Sequence, residues 1–192
     1  GCEVIGLHFK IPFCKINIRE RFPEIGIKII EEDLGGKFLE LIRKPRYGFG
    51  SNMNPCIDCK ILMFSRAREL MPEWGAKFII TGEVLGQRPM SQNKQALKLI
   101  RQKSGLEDLL LRPLSAQFFL PSLAEKEGWV KREKLLNFNG RMRTPQMRLA
   151  RDLGFNDFAT PAGGCLLTDP SFSKRLVELL AHNELSLENI EL

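Results

Sequence analysis

Short apolar runs and helical periodicities alternate along this chain. Residues 3–9 (EVIGLHF) are apolar and β-branched, and predict a short buried strand. Residues 25–30 predict a second one. Gly35 and Gly36 interrupt the pattern, residues 37–43 predict a short helix, and residues 44–53 (KPRYGFGSNM) form a loop rich in Gly, Pro and Asn. A strong helix start follows, with Asn54 as the expected N-cap and Pro55 as the first helical residue. Behind it, Ile57, Ile61, Phe64, Ala67, Met71 and Trp74 recur at helical spacing until Gly75.

The second half repeats this alternation. Residues 77–81 (KFIIT) read as a buried strand ending at Gly82. Ser91 is the expected cap of a helix carrying Ala96, Leu97 and Ile100, closed near Gly105. Residues 109–114 (LLLRPL) read as a strand whose Pro113 marks its end. From 115 to 140 the chain is polar and irregular, with Trp129 as its expected anchor. Thr144 and Pro145 open another helix that Gly154 ends. Residues 160–168 (TPAGGCLLT) form a loop, and Asp169 and Pro170 start a last helix bearing Phe172, Leu176, Leu179 and Leu180.

Strands alternating with helices predict an α/β protein with a mainly parallel sheet flanked by helices. In such folds ligands bind beyond the carboxyl ends of the strands. The 192 residues suffice for one compact unit with a core. We divide the chain at the expected end of the last strand, into an α/β part (1–114) and a C-terminal part (115–192) that belongs to the same catalytic unit.

Charge narrows the range of partners. Lys and Arg number 29 against 23 Asp and Glu, a net charge of +6, which suits a polyanion such as nucleic acid. No apolar run approaches the roughly 20 residues of a membrane span, and no secretory leader is evident, so a cytoplasmic protein is expected. Five cysteines without an export signal argue against a disulfide framework.

Two of those cysteines, Cys56 and Cys59, lie one turn apart at the expected helix start. There the helix dipole and open N–H groups favour a thiolate. Such a pair ligates a metal or cluster, or exchanges sulfur; two thiols packed as small apolar groups would show the same spacing. Ala162, Gly163, Gly164 and Cys165 form a turn that would present a third thiol, although a tight turn followed by cysteine needs no such role. Residues 81–88 (TGEVLGQR) and then Ser91 and Gln92 run from a strand end to a helix start, where phosphate or nucleotide would sit. Their glycines would equally serve a plain connection. Arg141, Arg143, Arg148 and Arg151, with Lys131, Arg132, Lys134, Lys174 and Arg175 around them, could neutralise RNA phosphates or simply form a solvated face.

Taken together, these segments resemble the PP-loop ATPase group of tRNA-thiolating enzymes. TGEVLGQ followed by SQ resembles the 4-thiouridine synthetases, and NPCIDC resembles the NPC-x-x-C of the tRNA 2-thiouridylases. TPAGGCLLTDP is similar to a subgroup described as synthetase-like. The resemblance implies an adenine-nucleotide α-hydrolase-like fold. It also implies ATP with Mg²⁺ adenylating a uridine carbonyl oxygen, and a sulfur nucleophile that displaces AMP. Cys56 and Cys165 would be catalytic. Cys56, Cys59 and Cys165 would together hold a 4Fe-4S cluster or, failing that, zinc; the family alternative is a persulfide on one cysteine that ends in a disulfide with another. Thr81, Gly82, Glu83, Gln87, Ser91 and Gln92 would line the nucleotide or acceptor site, and Arg141, Arg143, Arg148 and Arg151 would hold the tRNA. A sulfur-donor protein or sulfide completes the implied partners; a homodimer is one assembly open to the chain, and the sequence does not fix the oligomeric state.

The family's S-G-G-x-D-S nucleotide loop, which precedes the strand matching residues 3–9, is absent from the sequence. The expectation is therefore a fragment that lacks the N-terminal strand and loop and is inactive without them. A different class of function competes: a non-catalytic nucleic-acid-binding module stabilised by zinc, with Cys14 as the fourth ligand.

Overall fold

The computed structural model describes residues 2–14, 26–155 and 165–190. In chain order the elements are β1 (Ile5–Lys10), β2 (Lys28–Asp33), α1 (Gly35–Arg43), α2 (Cys56–Leu70), β3 (Ile79–Ile80), α3 (Lys94–Lys103), β4 (Leu110–Leu111), α4 (Leu123–Lys126), α5 (Thr144–Asp152), α6 (Pro170–Ala181) and α7 (Leu187–Ile190). The chain divides into two compact units, Gly1–Cys59 with Gly164–Leu192, and Lys60–Gly163. No helix among the described residues is long and apolar enough to cross a membrane.

In the first unit β1 and β2 pair in parallel, from Ile5 opposite Lys28 to Lys10 opposite Asp33. The part of the predicted second strand at Ile25 lies outside the described residues, and β2 runs further, through Glu31 and Glu32 to Asp33. The Asp33 carboxylate accepts the Gly35 N–H at 2.7 Å, satisfying a donor in the first turn of α1 that the helix leaves open. Phe13, fully buried, is the aromatic centre of this unit. Its ring lies 5.7 Å from Phe38 of α1 and 5.8 Å from Phe172 of α6. Asp169 caps α6 as expected, its carboxylate accepting the Phe172 N–H at 2.7 Å.

In the second unit β3 and β4 form another two-stranded parallel pair, Ile79 opposite Leu110 and Ile80 opposite Leu111. The described strands thus make two small parallel pairs. The α/β class holds at this coarser level, with two-residue strands where runs of five or six were predicted. Past Leu111 the chain turns to other partners. The carbonyls of Pro113 and Leu114 accept from Leu136 and Phe138 N–H at 2.8 and 2.7 Å, so β4 ends early. One apolar cluster joins Met71, Leu106 and Leu110; a second joins Leu111, Ala116 and Leu135. Trp129 is a partial anchor: it stacks on Phe78 at 6.1 Å yet remains 43% exposed.

Two helix starts differ from expectation. Asn93, rather than Ser91, caps α3: its side chain accepts the Ala96 N–H at 2.9 Å and donates to the carbonyls of Pro89 and Met90. Asn and Ser cap equally well, and the turn through residues 88–92 buries Ser91 and leaves Asn93 at the helix mouth. Helix α2 begins at Cys56, one residue later than read. The Pro55 carbonyl accepts the Cys59 N–H at 2.9 Å, and the Asn54 side chain accepts from the Cys56 thiol.

Candidate functional site

Cys56 and Cys59 occupy the first turn of α2, both half-buried. Asn54, almost fully buried, accepts a hydrogen bond from the Cys56 thiol at 2.8 Å. Asp58, between the cysteines, accepts the backbone N–H groups of Arg46 and Tyr47 at 3.1 and 2.9 Å. The loop ahead of α2 is therefore tied back onto the helix that it enters. The same loop is tied to the segment behind Cys165. The Asn52 amide donates to the Thr168 carbonyl at 2.8 Å, and the Met53 N–H to the Ser173 hydroxyl at 3.4 Å. Thr168 in turn donates to the Cys165 carbonyl through both its N–H and its hydroxyl. The two cysteine segments, distant in sequence, are joined within one unit. Ala162, Gly163 and Gly164 of the predicted turn lie outside the described residues.

Among the described residues no group of three or more His, Cys, Asp or Glu side chains is arranged to hold a metal ion. Cys14, the candidate fourth zinc ligand, is half-buried, and burial raises its thiol above the ordinary value.

The second predicted site is a loop in the other unit, leaving β3 at Thr81. A Cβ on Gly82 would meet nothing within 4 Å, so the backbone there is open to approach. Glu83 is buried and held between two cations: Lys60 bonds one carboxylate oxygen and Arg112 Nε the other, the latter at 2.8 Å. Burial alone would raise the Glu83 carboxyl. Lys60, then Arg112, outweigh it by charge and hydrogen bonding and pull the carboxyl below its ordinary value. Thr81 adds a longer contact, its hydroxyl 3.4 Å from the same carboxylate. Both Glu83 oxygens are thus engaged within the protein.

Beyond Glu83 the loop closes on itself. The Gly86 N–H donates to the Gln92 carbonyl at 2.7 Å, and Gln92 N–H to the Arg88 carbonyl at 2.9 Å. Gly86 takes a positive φ of 77°, and a Cβ there would lie 3.3 Å from the Gly140 nitrogen, so glycine is required twice over. Ser91 and Gln92 are buried, and Ser91 Oγ and Gln92 Oε1 have no hydrogen-bond partner among the described residues. Buried polar atoms are ordinarily satisfied, so these two invite a water or a ligand. Oriented to suit its neighbours, the Gln146 amide accepts from Gln87 Nε2 at 2.6 Å and donates to the Arg143 carbonyl. That contact brings Gln87 to the start of α5, the basic helix. Arg141, Arg148 and Arg151 are exposed and Arg143 is half-buried. No residue of α5 is buried.

Several residues that organise these sites escaped the sequence reading. Ser115, fully buried, accepts the Leu85 N–H at 3.0 Å and donates to the Phe138 carbonyl at 2.6 Å, pinning the loop from below. Arg112 and Lys60 neutralise Glu83. A signal for Arg112 existed: an arginine directly after a buried leucine run must find a counter-charge. Comparison with protein-family models, with curated proteins and with solved structures finds no match.

Proposed function

We propose that this chain carries the sulfur-relay chemistry of a cytoplasmic, ATP-dependent tRNA sulfurtransferase. What supports the reading is the stitching of the loop ahead of Cys56 to the segment behind Cys165, through Asn52–Thr168 and Met53–Ser173. The Cys56 thiolate attacks the outer sulfur of a donor persulfide, releasing the donor thiolate and leaving a persulfide on Cys56. ATP with Mg²⁺, when bound, supplies activation of the uridine carbonyl oxygen. The terminal sulfur of the persulfide attacks the activated carbon and displaces that oxygen. A second cysteine, Cys59 or Cys165, then attacks the Cys56 sulfur. The thiolated base is released and a protein disulfide remains for an external dithiol to reduce. Thr81, Gly82, Gln87, Ser91 and Gln92 would face the nucleotide or acceptor, and Glu83 would brace them through Lys60 and Arg112. Arg141, Arg143, Arg148 and Arg151 would hold tRNA phosphates.

The test is persulfide trapping. The chain is incubated with a small persulfide donor, alkylated and mapped by peptide mass spectrometry. The persulfide is expected on Cys56, absent in Cys56→Ser, and longer-lived when Cys59 and Cys165 are both replaced by serine. A protein that binds zinc stoichiometrically and forms no persulfide would sink the reading in favour of a structural zinc module.

A further inference from the structure

Between Glu40 and Asp58 the sequence holds no acidic residue, but it holds Arg43, Lys44 and Arg46 together with Tyr47 and Phe49. All three cations are exposed, and Phe49 is 39% exposed. The Arg46 guanidinium lies over the Tyr47 ring, 5.8 Å from its centroid. Gly48, between the aromatics, takes a positive φ of 72° with open space where a Cβ would be, so the chain turns sharply there. This segment is anchored rather than loose. Asp58 holds the N–H groups of Arg46 and Tyr47, and Gly50 N–H donates to the Asn54 carbonyl at 2.8 Å. Both Asp58 oxygens point into those backbone bonds, so the local acid does not cancel the cations.

We infer that residues 43–50 form a stacking surface for unpaired RNA nucleotides beside Cys56, with Phe49 and the Arg46–Tyr47 pair as its π-faces and Lys44 as a phosphate contact. The inference deepens the proposed function and rests on it for the choice of RNA. Cationic side chains interleaved with aromatic faces are the chemistry that single-stranded nucleic acid recognises. The anchoring by Asp58, which shares the first turn of α2 with Cys56, gives this surface a defined position near that cysteine. A base stacked there would not need to be extracted from a duplex by the cysteine helix itself.

The experiment measures binding of a fluorescent oligouridylate to the whole chain at low salt, with melting curves as a folding control. Phe49→Ala should weaken binding about tenfold, as expected for loss of one base–aromatic stack. Lys44→Gln should lower the salt slope by about one. Phe49→Trp should retain affinity and add an emission that RNA quenches, over the background of Trp74 and Trp129. Undiminished binding by Phe49→Ala, or an unquenched Phe49→Trp at saturating RNA, overturns the inference. Absence of RNA binding by the parent chain overturns it as well. Persulfide loading of Cys56 is followed in the same samples: loss of RNA quenching with loading intact defeats the stacking surface alone, and loss of loading with quenching intact defeats the thiolation reading alone.

Discussion

The loop that enters α2 and the loop that leaves β3 are both rich in glycine and polar residues, and they are stabilised in opposite ways. The first, at residues 44–54, is held by the Asp58 carboxylate, which accepts from two backbone N–H groups, and by the Asn52 amide, which donates to a backbone carbonyl; Cys56 and Cys59 just after it are half-buried. The second, at residues 81–92, is held from inside by a buried carboxylate between two cations and by the buried Ser115 hydroxyl. The contrast teaches that a polar residue in a motif can be committed either to ligands or to the fold. Glu83 is engaged inside its unit; Asp58 is engaged near the surface, between two half-buried cysteines.

The largest effect should come from Glu83→Gln, which leaves Lys60 and Arg112 without their counter-charge. Loss of one partner from a buried ion pair costs about 3–5 kcal/mol, read as a fall in the denaturant midpoint. The pH dependence has a definite sign. The folded carboxyl lies below its ordinary value, so its stabilisation is present above the unfolded value and fades as pH falls through the folded one. The gap between parent and Glu83→Gln should therefore close in acid; a gap independent of pH would refute the ion-pair account.

Ser115→Ala should cost less, about 1–2 kcal/mol, because it removes the partner of the half-buried Leu85 N–H and Phe138 carbonyl. Hydrogen exchange would show faster opening at Leu85 and Gly86. Asp58→Ala should be smallest in stability, about 1 kcal/mol, since its bonds are near solvent. It should nonetheless slow persulfide loading of Cys56. Equal stability losses in Asp58→Ala and Glu83→Gln would erase the contrast between the two loops.

Much of the fold was legible because it depends on local chemistry. The burial of Ala96, Leu97 and Ile100 follows from helical spacing, and the Asp169–Pro170 start follows from capping. The boundaries of β3 and β4, and the choice of Asn93 over Ser91 as a cap, were not legible. They depend on which carbonyl a passing segment offers, as Pro113 and Leu114 offer theirs to Leu136 and Phe138. For the candidate sites, the roles of Glu83 and Asp58 within TGEVLGQ and NPCIDC were not legible either.

The sequence by itself determined where helices and strands can form, the basic charge and the spacing of Cys56 and Cys59, because these rest on neighbours a few positions away. Only the tertiary structure decided that Glu83 lies between Lys60 and Arg112, that Ser91 and Gln92 are buried with oxygens unsatisfied among the described residues, and that the Cys165 segment is tied to the loop ahead of Cys56. The physical reason is common to all three. Burial and hydrogen-bond pairing are settled by groups far apart in the chain, and a buried polar atom takes whatever partner the packing brings to it.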